Sequence, residues 1–519
     1  MCSLSNPNRI VTVRRSKRRG LLASFTLIPE VENPYHYSNV VKWFITFIVA
    51  FAAATTSLGS AIIFPALSET ASGLHSTTTL VNLSVALYML SLSFCPLWWS
   101  AYSETAGRRT VYIASFSLFV LFAIMSAVAK SMGTFIAMRM ICGGAGASVQ
   151  AVGAGTLADI WEPSERGKAM GRFYIGPLCG PLLAPVIGGS VSQNYLVLLI
   201  SQLTIHVPEK RFLTARWGWR STQWFLVIYG GISFALLLVA LPETTRNLNT
   251  SQAPGQQQNE LSVSHNSHAI LAVTLKTQRA LRRLRHLFLD PLRMIFLLRH
   301  LPILFTSYYA ALAFGSLYIL NISIQKVFAE PPYGFSVSIL GLCYIPSGLG
   351  FLSSALLGGK WADYIMKREA KRREVYDESG NLSLKPEDRM MENAWAAAVA
   401  FPAAMIWYGW TVDKGVFWVA PMFANFVFGL STMLIFSLAV TMLTEFIPRK
   451  PSSGVAVANF LRNIFSCASI LLGDPLLRIE GDGWMFTGLA ILASSGIGVV
   501  WWMRNKGAIW REQNMDKLG

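Results

Sequence analysis

Charge is scarce in this sequence, and negative charge scarcer still: Asp and Glu together number 27 in 519 residues, and all charged residues make up 14%. A soluble chain of this length would carry about a quarter of its residues as charges, spread over two to four domains. That class is excluded. Cysteine is also rare and unpatterned. Cys2, Cys95, Cys142, Cys179, Cys343 and Cys467 lie far apart, and all but Cys2 fall in apolar runs. This excludes a disulfide framework and a paired-cysteine metal site, and leaves packed or lipid-facing thiols. No glycine-rich phosphate loop, HExxH or GxSxG stands in a soluble context, so nothing marks an enzyme or a nucleotide-driven pump.

What the chain has in abundance is apolar length. It is 53% hydrophobic with a mean hydropathy of +0.44. A bilayer's hydrocarbon core needs about 20 apolar helical residues, and runs of that kind fall near 43–67, 79–101, 110–129, 133–158, 169–192 and 219–241. After a polar interval they resume near 301–325, 336–358, 394–412, 417–443, 453–473 and 484–503. The expected fold is an all-α membrane protein with 12 transmembrane helices in two pseudo-symmetric six-helix bundles. Its parts are a basic tail (1–42), a first bundle (43–241), a central loop (242–300), a second bundle (301–503) and a final tail (504–519). Residues 1–42 lack the basic cap, apolar core and small-residue cleavage site of a signal peptide.

The basic residues test this topology. With the N-terminus in the cytoplasm, 34 of the 44 Lys and Arg fall on the cytoplasmic side, 8 on the other, and Arg139 and Arg462 lie within spans. That asymmetry follows the positive-inside rule and places both termini in the cytoplasm. It also accounts for the net charge of +17 through topology and anionic lipid, with no nucleic acid. In the central loop, a Gln/Asn/Ser-rich linker precedes LKTQRALRRLRHLFLDPLRMIFLLRH, whose leucines at helical spacing with arginines between them read as an amphipathic membrane-surface helix. YLVLLISQLTIHVPEKRFLTAR (195–216) disturbs the count, because its apolar part is too short to span. It is either a re-entrant or interfacial loop or a segment foreign to the mature protein, such as translated intron. The second is favoured, since removing it joins spans 5 and 6 by an ordinary short loop.

An internal repeat points to duplication. SAYSETAGRR (100–109) follows span 2 and GKWADYIMKR (359–368) follows span 8; in both, Ser or Ala stands fourth, an acid fifth and two basic residues last. Two such loops at matching places suggest the parallel repeat of a rocking transporter. Span 5 carries a second pattern, GRFYIGPLCGPLLAPVIGG (171–189), with Pro177, Pro181 and Pro185 and with Gly176, Gly180, Ala184 and Gly188 four apart. Small residues at that spacing cut a groove that another helix backbone can enter. Prolines are tolerated in lipid only where neighbours satisfy the freed carbonyls. The stretch therefore reads as a tight, bent helix–helix contact, generic packing being the plainer alternative.

These residues resemble a known family. PLWWSAYSETAGRR is similar to the span 2–3 signature of the major facilitator superfamily, RMICGGAGASVQ to its span 4 arginine motif, and GPLCGPLLAPVIGG to the span 5 motif of its proton-coupled antiporters. DIWEPSERGKAMG, GWRSTQWF, LPETTRN, DPLR, GLCYIPSGLG and VAVANFLRN add a likeness to fungal twelve-span drug:proton antiporters of the quinidine-resistance type. The resemblance runs from about residue 40 to 505. It departs at Ser100, Glu104 and Met366, where the family usually has glycine, aspartate and glycine, and at 195–216, which has no counterpart. It implies the major facilitator fold, a span 5 contact lying between the two halves (Gly176, Pro177, Gly180, Pro181, Gly188, Gly189), and a part for Arg139 in proton coupling.

Read from the residues, Arg139 is the most expensive side chain of the first half unless it faces a cavity or snorkels. Glu69, Asp159 and Gln150 are its nearest polar candidates, since spans 1 and 4 contain no acid. Asn459 and Arg462 share a helix face in span 11 and either line a cavity, clamp an anionic group or build a structural network. Glu104 and Asp363, beside Gly107, Arg108, Arg109, Lys367 and Arg368, form an expected gating latch, a solvated loop charge being the alternative. A midplane substrate cavity draws on Tyr88, Gln150, Tyr174, Tyr308, Tyr309, Asn321, Tyr344 and Asn425; aromatic faces suit bulky amphipathic or cationic compounds. The expected function is proton-coupled export by alternating access in a fungal plasma membrane. The driving force is a proton gradient with no cofactor, and the partners are a small-molecule substrate, protons and lipid, acting on a monomer. A dedicated exporter of one metabolite or polyamine, or a transport-inactive sensor, are the alternatives.

Overall fold

We describe a computed structural model of the chain, covering residues 12–192, 218–245, 291–373, 391–446 and 451–514. The segment 195–216, most of the central loop and its amphipathic stretch before Pro291 lie outside the described residues. Among the described residues no strand forms beyond the bridge pair Thr12 and Val31.

The first half comprises α1 (Asn39–Ala61), α2 (Leu67–Gly73), α3 (Thr78–Ala106), α4 (Arg108–Ala127), α5 (Met132–Gly146), α6 (Ser148–Ile160), α7 (Pro163–Ser192) and α8 (Arg220–Ala240). The second comprises α9 (Leu301–Ala329), α10 (Val337–Leu342), α11 (Ile345–Arg373), α12 (Glu392–Asp413), α13 (Val419–Phe446), α14 (Pro451–Ile479) and α15 (Gly481–Asn514). Helix starts follow the polar residues that precede them. The side chains of Ser38, Thr77 and Ser131 accept from the amides of Val41, Leu80 and Thr134, satisfying donors the first turn leaves open.

With Asn39–Gly73 and Met132–Ile160 each taken as one span, eleven segments among the described residues are long and apolar enough to cross a bilayer. The twelfth helix of the bundle is α7, 30 residues laid along α1 and unbroken through Pro177, Pro181 and Pro185. The expected six-plus-six architecture is thus what the chain adopts. The duplication is visible in packing too. In the first half α1 pairs with α7, α3 with α5 and α4 with α8; in the second, α9 pairs with α14, α11 with α13 and α12 with α15. These are the same positions in the two six-span sets.

The halves meet most extensively at two seams, α3 against α14 and α7 against α10 and α11, and the end of α1 also reaches α9. Across the first, Asn463 Nδ2 donates to the Leu92 carbonyl at 3.0 Å, and Phe94 meets Phe460 edge-on at 5.1 Å. The polar tail before α1 is not a free arm. Residues 12–38 fold through short 3-10 turns onto the first half, with the Leu27 amide bonded to the Val239 carbonyl at 2.8 Å.

One expectation is corrected. The glycine face of α7 meets α1 in its own half, not the opposite half. A methyl group placed on Gly176 would come within 2.1 Å of the Ala50 carbonyl oxygen, on Gly180 within 2.1 Å of Ser57 Cβ, and on Gly188 within 2.1 Å of the Ile62 oxygen. Close approach kept in register from Gly176 to Gly188 suits two helices fixed in one bundle. Pro181 and Gly189 lie on the same helix, their side-chain surroundings outside the described set. Substituting Gly188 by Ala forces α7 off α1, a change worth about 1–3 kcal/mol as overpacking. The expected result is a lower thermal-unfolding midpoint of the purified protein for Gly188→Ala, and no change for Gly171→Ala, where nothing lies within 4 Å of the added atom.

Candidate functional site

Polar side chains from both halves converge on one stretch at the end of α1, Thr56 to Ile62, read in sequence as TSLGSAI. Tyr88 of α3 donates its hydroxyl to the Thr56 carbonyl at 3.0 Å, and Gln150 Nε2 of α6 donates to Thr56 Oγ1 at 3.3 Å. Ser57 is the residue against which Gly180 packs. Gly59 supplies a carbonyl to Arg139, and Ser60 Oγ accepts from Tyr318 of α9, in the other half, at 3.1 Å. Just beyond, Phe64 lies 6.1 Å from the Tyr318 ring. Small side chains are what admit these neighbours, since an added Cβ at Gly59 would sit 2.3 Å from the Tyr88 hydroxyl.

Arg139 is buried, with 2% of its surface exposed. Its Nη2 donates to the Gly59 carbonyl at 2.8 Å and its Nη1 to Gln223 Oε1 at 3.4 Å, and Ser126 donates to the same Gln223 oxygen. The guanidinium also lies over the Tyr88 ring at 5.2 Å and the Phe135 ring at 5.7 Å. It does not snorkel. Neither Glu69 nor Asp159 reaches it: Asp159 pairs with Arg108 at 3.2 Å, and Gln150 is held at Thr56. Gln223, in the GWRSTQWF stretch, is the partner that spacing alone could not find, because it comes from the sixth span. Burying this cation without a carboxylate is sustainable only through carbonyl and amide oxygens and aromatic faces.

Arg462 is the counterpart in the second half, buried and stacked over Phe314 at 4.5 Å and Phe436 at 5.4 Å. Tyr174 of α7 meets Phe436 edge-on at 6.3 Å, so both halves contribute to the wall around it. Asn459 is buried one turn earlier on the same helix, while Asn463 bridges to the first half. Of the expected cavity residues, Tyr88, Gln150, Tyr174, Asn459 and Arg462 therefore gather around the seam and the α1 stretch. Tyr308, Asn321 and Tyr344 belong elsewhere. Tyr308 pairs with Ser495 at 3.4 Å, and Tyr344 donates to the Asn321 carbonyl at 2.9 Å, both within the second half. Tyr309 is also an internal residue of the second bundle, its ring seated against Gly496, and Asn425 donates to the Cys343 carbonyl at 3.2 Å.

The loop between α3 and α4 is organised by an acid, though not the one expected. Gly107 turns the chain at φ +90°, a conformation that favours glycine. Glu104 is exposed. Buried Glu243, from LPETTRN, instead accepts the amide of Arg108 at 2.9 Å and that of Arg109 at 3.2 Å, capping α4 where the helix dipole is positive. The Thr244 and Thr245 amides, each at 3.0 Å, and the Thr245 hydroxyl at 2.8 Å complete its shell. Arg109 in turn closes the C-terminal end of α8, donating to the carbonyls of Leu237, Leu238 and Leu241, and holds the tail through Leu21 and Leu22. The acid that organises this loop is thus Glu243 and not Glu104, and its partners all belong to its own half, so it is a fixed helix cap and not the gating pair expected at Glu104 and Asp363. In the second half, Arg368 pairs with Glu392 at 2.9 Å and Glu369 at 3.1 Å; the side chain of Asp363 lies outside the described set.

Comparison with known proteins agrees with the fold. A model described as the Major Facilitator Superfamily matches residues 49–470. The chain is 32% identical to the "MFS antiporter QDR3" of Candida albicans, over 96% of this chain and 82% of that one. It is 44% identical to the "MFS transporter OpS2" of Beauveria bassiana, over 70% of this chain and 97% of the relative. Among solved structures, a D-xylose-proton symporter superposes with a TM-score of 0.61 at 15% identity, covering 88% of this chain and 97% of its own, a likeness of fold.

The two acids of this loop region should behave differently. Removing a buried, fully bonded helix cap costs about 2–4 kcal/mol, whereas an exposed loop charge is worth within about 0.5 kcal/mol. Glu243→Ala should lower the thermal midpoint in detergent and release the tail to protease, and Glu104→Ala should do neither.

Proposed function

The chain belongs to the major facilitator superfamily, and we propose that it is a proton-coupled antiporter exporting small amphipathic compounds by alternating access. It works in a plasma membrane with both termini in the cytoplasm and, on this reading, as a monomer. The observation that carries the proposal is the α1 stretch that touches both halves. Arg139 hangs on the Gly59 carbonyl, and the next residue, Ser60, takes the one hydroxyl bond from Tyr318 across the seam. A change in what surrounds Arg139 is therefore passed within one residue to a contact that differs between rocked states. A ligand or proton shifts such an equilibrium only through interactions that differ between the states. The α7 groove fixes α1 to the first bundle, so the movement is one of whole halves rather than of a loose helix.

Energy for export comes from the gradient. One charge crossing the membrane is worth about 2.3 kcal/mol per 100 mV, and inward protons can exchange against outward cargo. The relatives, an antiporter and a transporter by name, support transport of this kind, and drugs or metabolites are the cargo classes that fit. A transport-inactive sensor is the competing reading, favoured by one observation: no carboxylate touches Arg139 among the described residues. Flux separates the two. In proteoliposomes with an imposed pH gradient, a panel of labelled amphipathic compounds should include one that exchanges against protons. Arg139→Ala should lower that flux, measured per folded protein, at least about tenfold, the loss expected when a coupling contact worth over 1.4 kcal/mol is removed. Because the residue is buried, its thermal midpoint should fall as well, and the conservative Arg139→Lys should restore the midpoint more than the flux. Undiminished flux in Arg139→Ala, or no gradient-driven movement of any compound, contradicts the proposal.

A further inference from the structure

We propose that Arg462 is an anion-binding group, and that the cargo of this transporter is an amphipathic acid whose carboxylate, sulfonate or phosphate it takes. The inference rests on the transport reading above and names the class of molecule that the same seam accepts.

Three arginines are buried in the described chain: Arg109, Arg139 and Arg462. Arg109 spends its donors on backbone carbonyls, and Arg139 spends one nitrogen on the Gly59 carbonyl and one on the Gln223 amide oxygen, its Nε being enclosed without a partner. Arg462 spends none. Among the described residues it forms no salt bridge and its guanidinium donates to no acceptor, and its Nε is enclosed without a partner, only 8% of the residue being exposed. The stretches around it hold no acid that could answer: residues 306–325 of α9, 422–440 of α13, 453–473 of α14 and 173–192 of α7 contain neither Asp nor Glu. A cation removed from water without an anion is strongly unfavourable, so the arrangement is complete only when a ligand brings the negative charge. Guanidinium is suited to that task because its fork of donors matches a carboxylate or phosphate.

The surroundings decide what the rest of the ligand resembles. Phe314 and Phe436 flank the guanidinium, and Tyr174 extends the wall from the first half. These faces offer an apolar bed for a ring system. They do not favour a cationic cargo, since Arg462 already lies over both phenylalanine faces and Arg139 over Tyr88 and Phe135. An incoming ammonium at Phe314 and Phe436 would find both rings engaged and the fixed positive charge of Arg462 beside it. The class of cationic compounds suggested by the sequence is thereby disfavoured against acids of similar shape.

The test uses the full-length protein in detergent and three probes of one shape: 2-naphthoate, methyl 2-naphthoate and 2-naphthylmethylamine, each titrated by tryptophan quenching. A charge-assisted hydrogen bond is worth enough to make naphthoate bind about tenfold or more tighter than the ester and the amine. Arg462→Gln should erase that preference, and Arg462→Lys, which keeps the charge and guards against a variant that merely misfolds, should retain part of it. Equal or tighter binding of the amine overturns the proposal, as does a naphthoate preference that survives in Arg462→Gln, or absence of binding by all three. No gradient is present in this measurement. A protein that selects naphthoate but moves nothing fails the transport reading alone, and one that exchanges cations against protons fails this inference alone.

Discussion

A guanidinium inside a bilayer has no water to turn to, and Arg139 meets that constraint by drawing on the backbone of α1. The Gly59 carbonyl is available because Gly59 carries no side chain and Tyr88 fits the space left, its own hydroxyl turned to Thr56. From this arrangement the rest of the first half follows. α1 must be close to α3, α5 and α8 at one level, and α7 must press on it from behind, which is what glycines 176, 180 and 188 allow. The same level of α1 then presents Ser60 to Tyr318 of the second half. Stability and mechanism thus use the same few residues, and the bond that would have to change on rocking lies one residue from the buried charge.

At the end where the tail docks, a second arrangement does for the loops what α1 does for the core. Glu243 caps α4, Arg109 closes α8, and the tail's backbone is held between them. Each element leaves donors or acceptors open at its end, and each is satisfied by another element of the same half. The result ties the tail, the α3–α4 turn and the end of α8 into one rigid unit, so that tilting of the first half carries its whole tail face along. Among the described residues, the corresponding place in the second half holds Arg368 paired with half-buried Glu369 and exposed Glu392, and a pair with so exposed a partner is weak. The two faces are therefore not equivalent, despite the repeated loop sequence.

Much of this was legible in the sequence, for reasons that can be located. Apolar length gave the spans and the duplicated loops gave the two halves, because burial in lipid acts on local composition. The small-residue spacing of α7 correctly marked a close helix contact, and Arg139 and Arg462 stood out as charges within spans. What spacing could not reveal was which partner each would meet. Gln223 and Glu243 come from the far end of the half, and the groove on α7 could have faced either bundle. Tyr308 and Tyr344 had the right chemistry in the right spans, yet their hydroxyls bond inside the second half, to Ser495 and to the Asn321 backbone carbonyl. The polar run TTSLGS was present as a signal. Five small hydroxyl or glycine residues in an apolar helix ahead of Pro65 are what a shared acceptor site requires.

The central claim is that α1 couples the halves through Ser60 and Tyr318. Spin labels at exposed Val40, at the start of α1, and exposed Tyr364, near the end of α11, report the separation of the two halves at the tail face. Double electron–electron resonance on this pair in lipid nanodiscs should give two distance populations, and Tyr318→Phe should move the balance between them without altering either distance. A single distance, or populations indifferent to loss of that hydroxyl, would contradict the account.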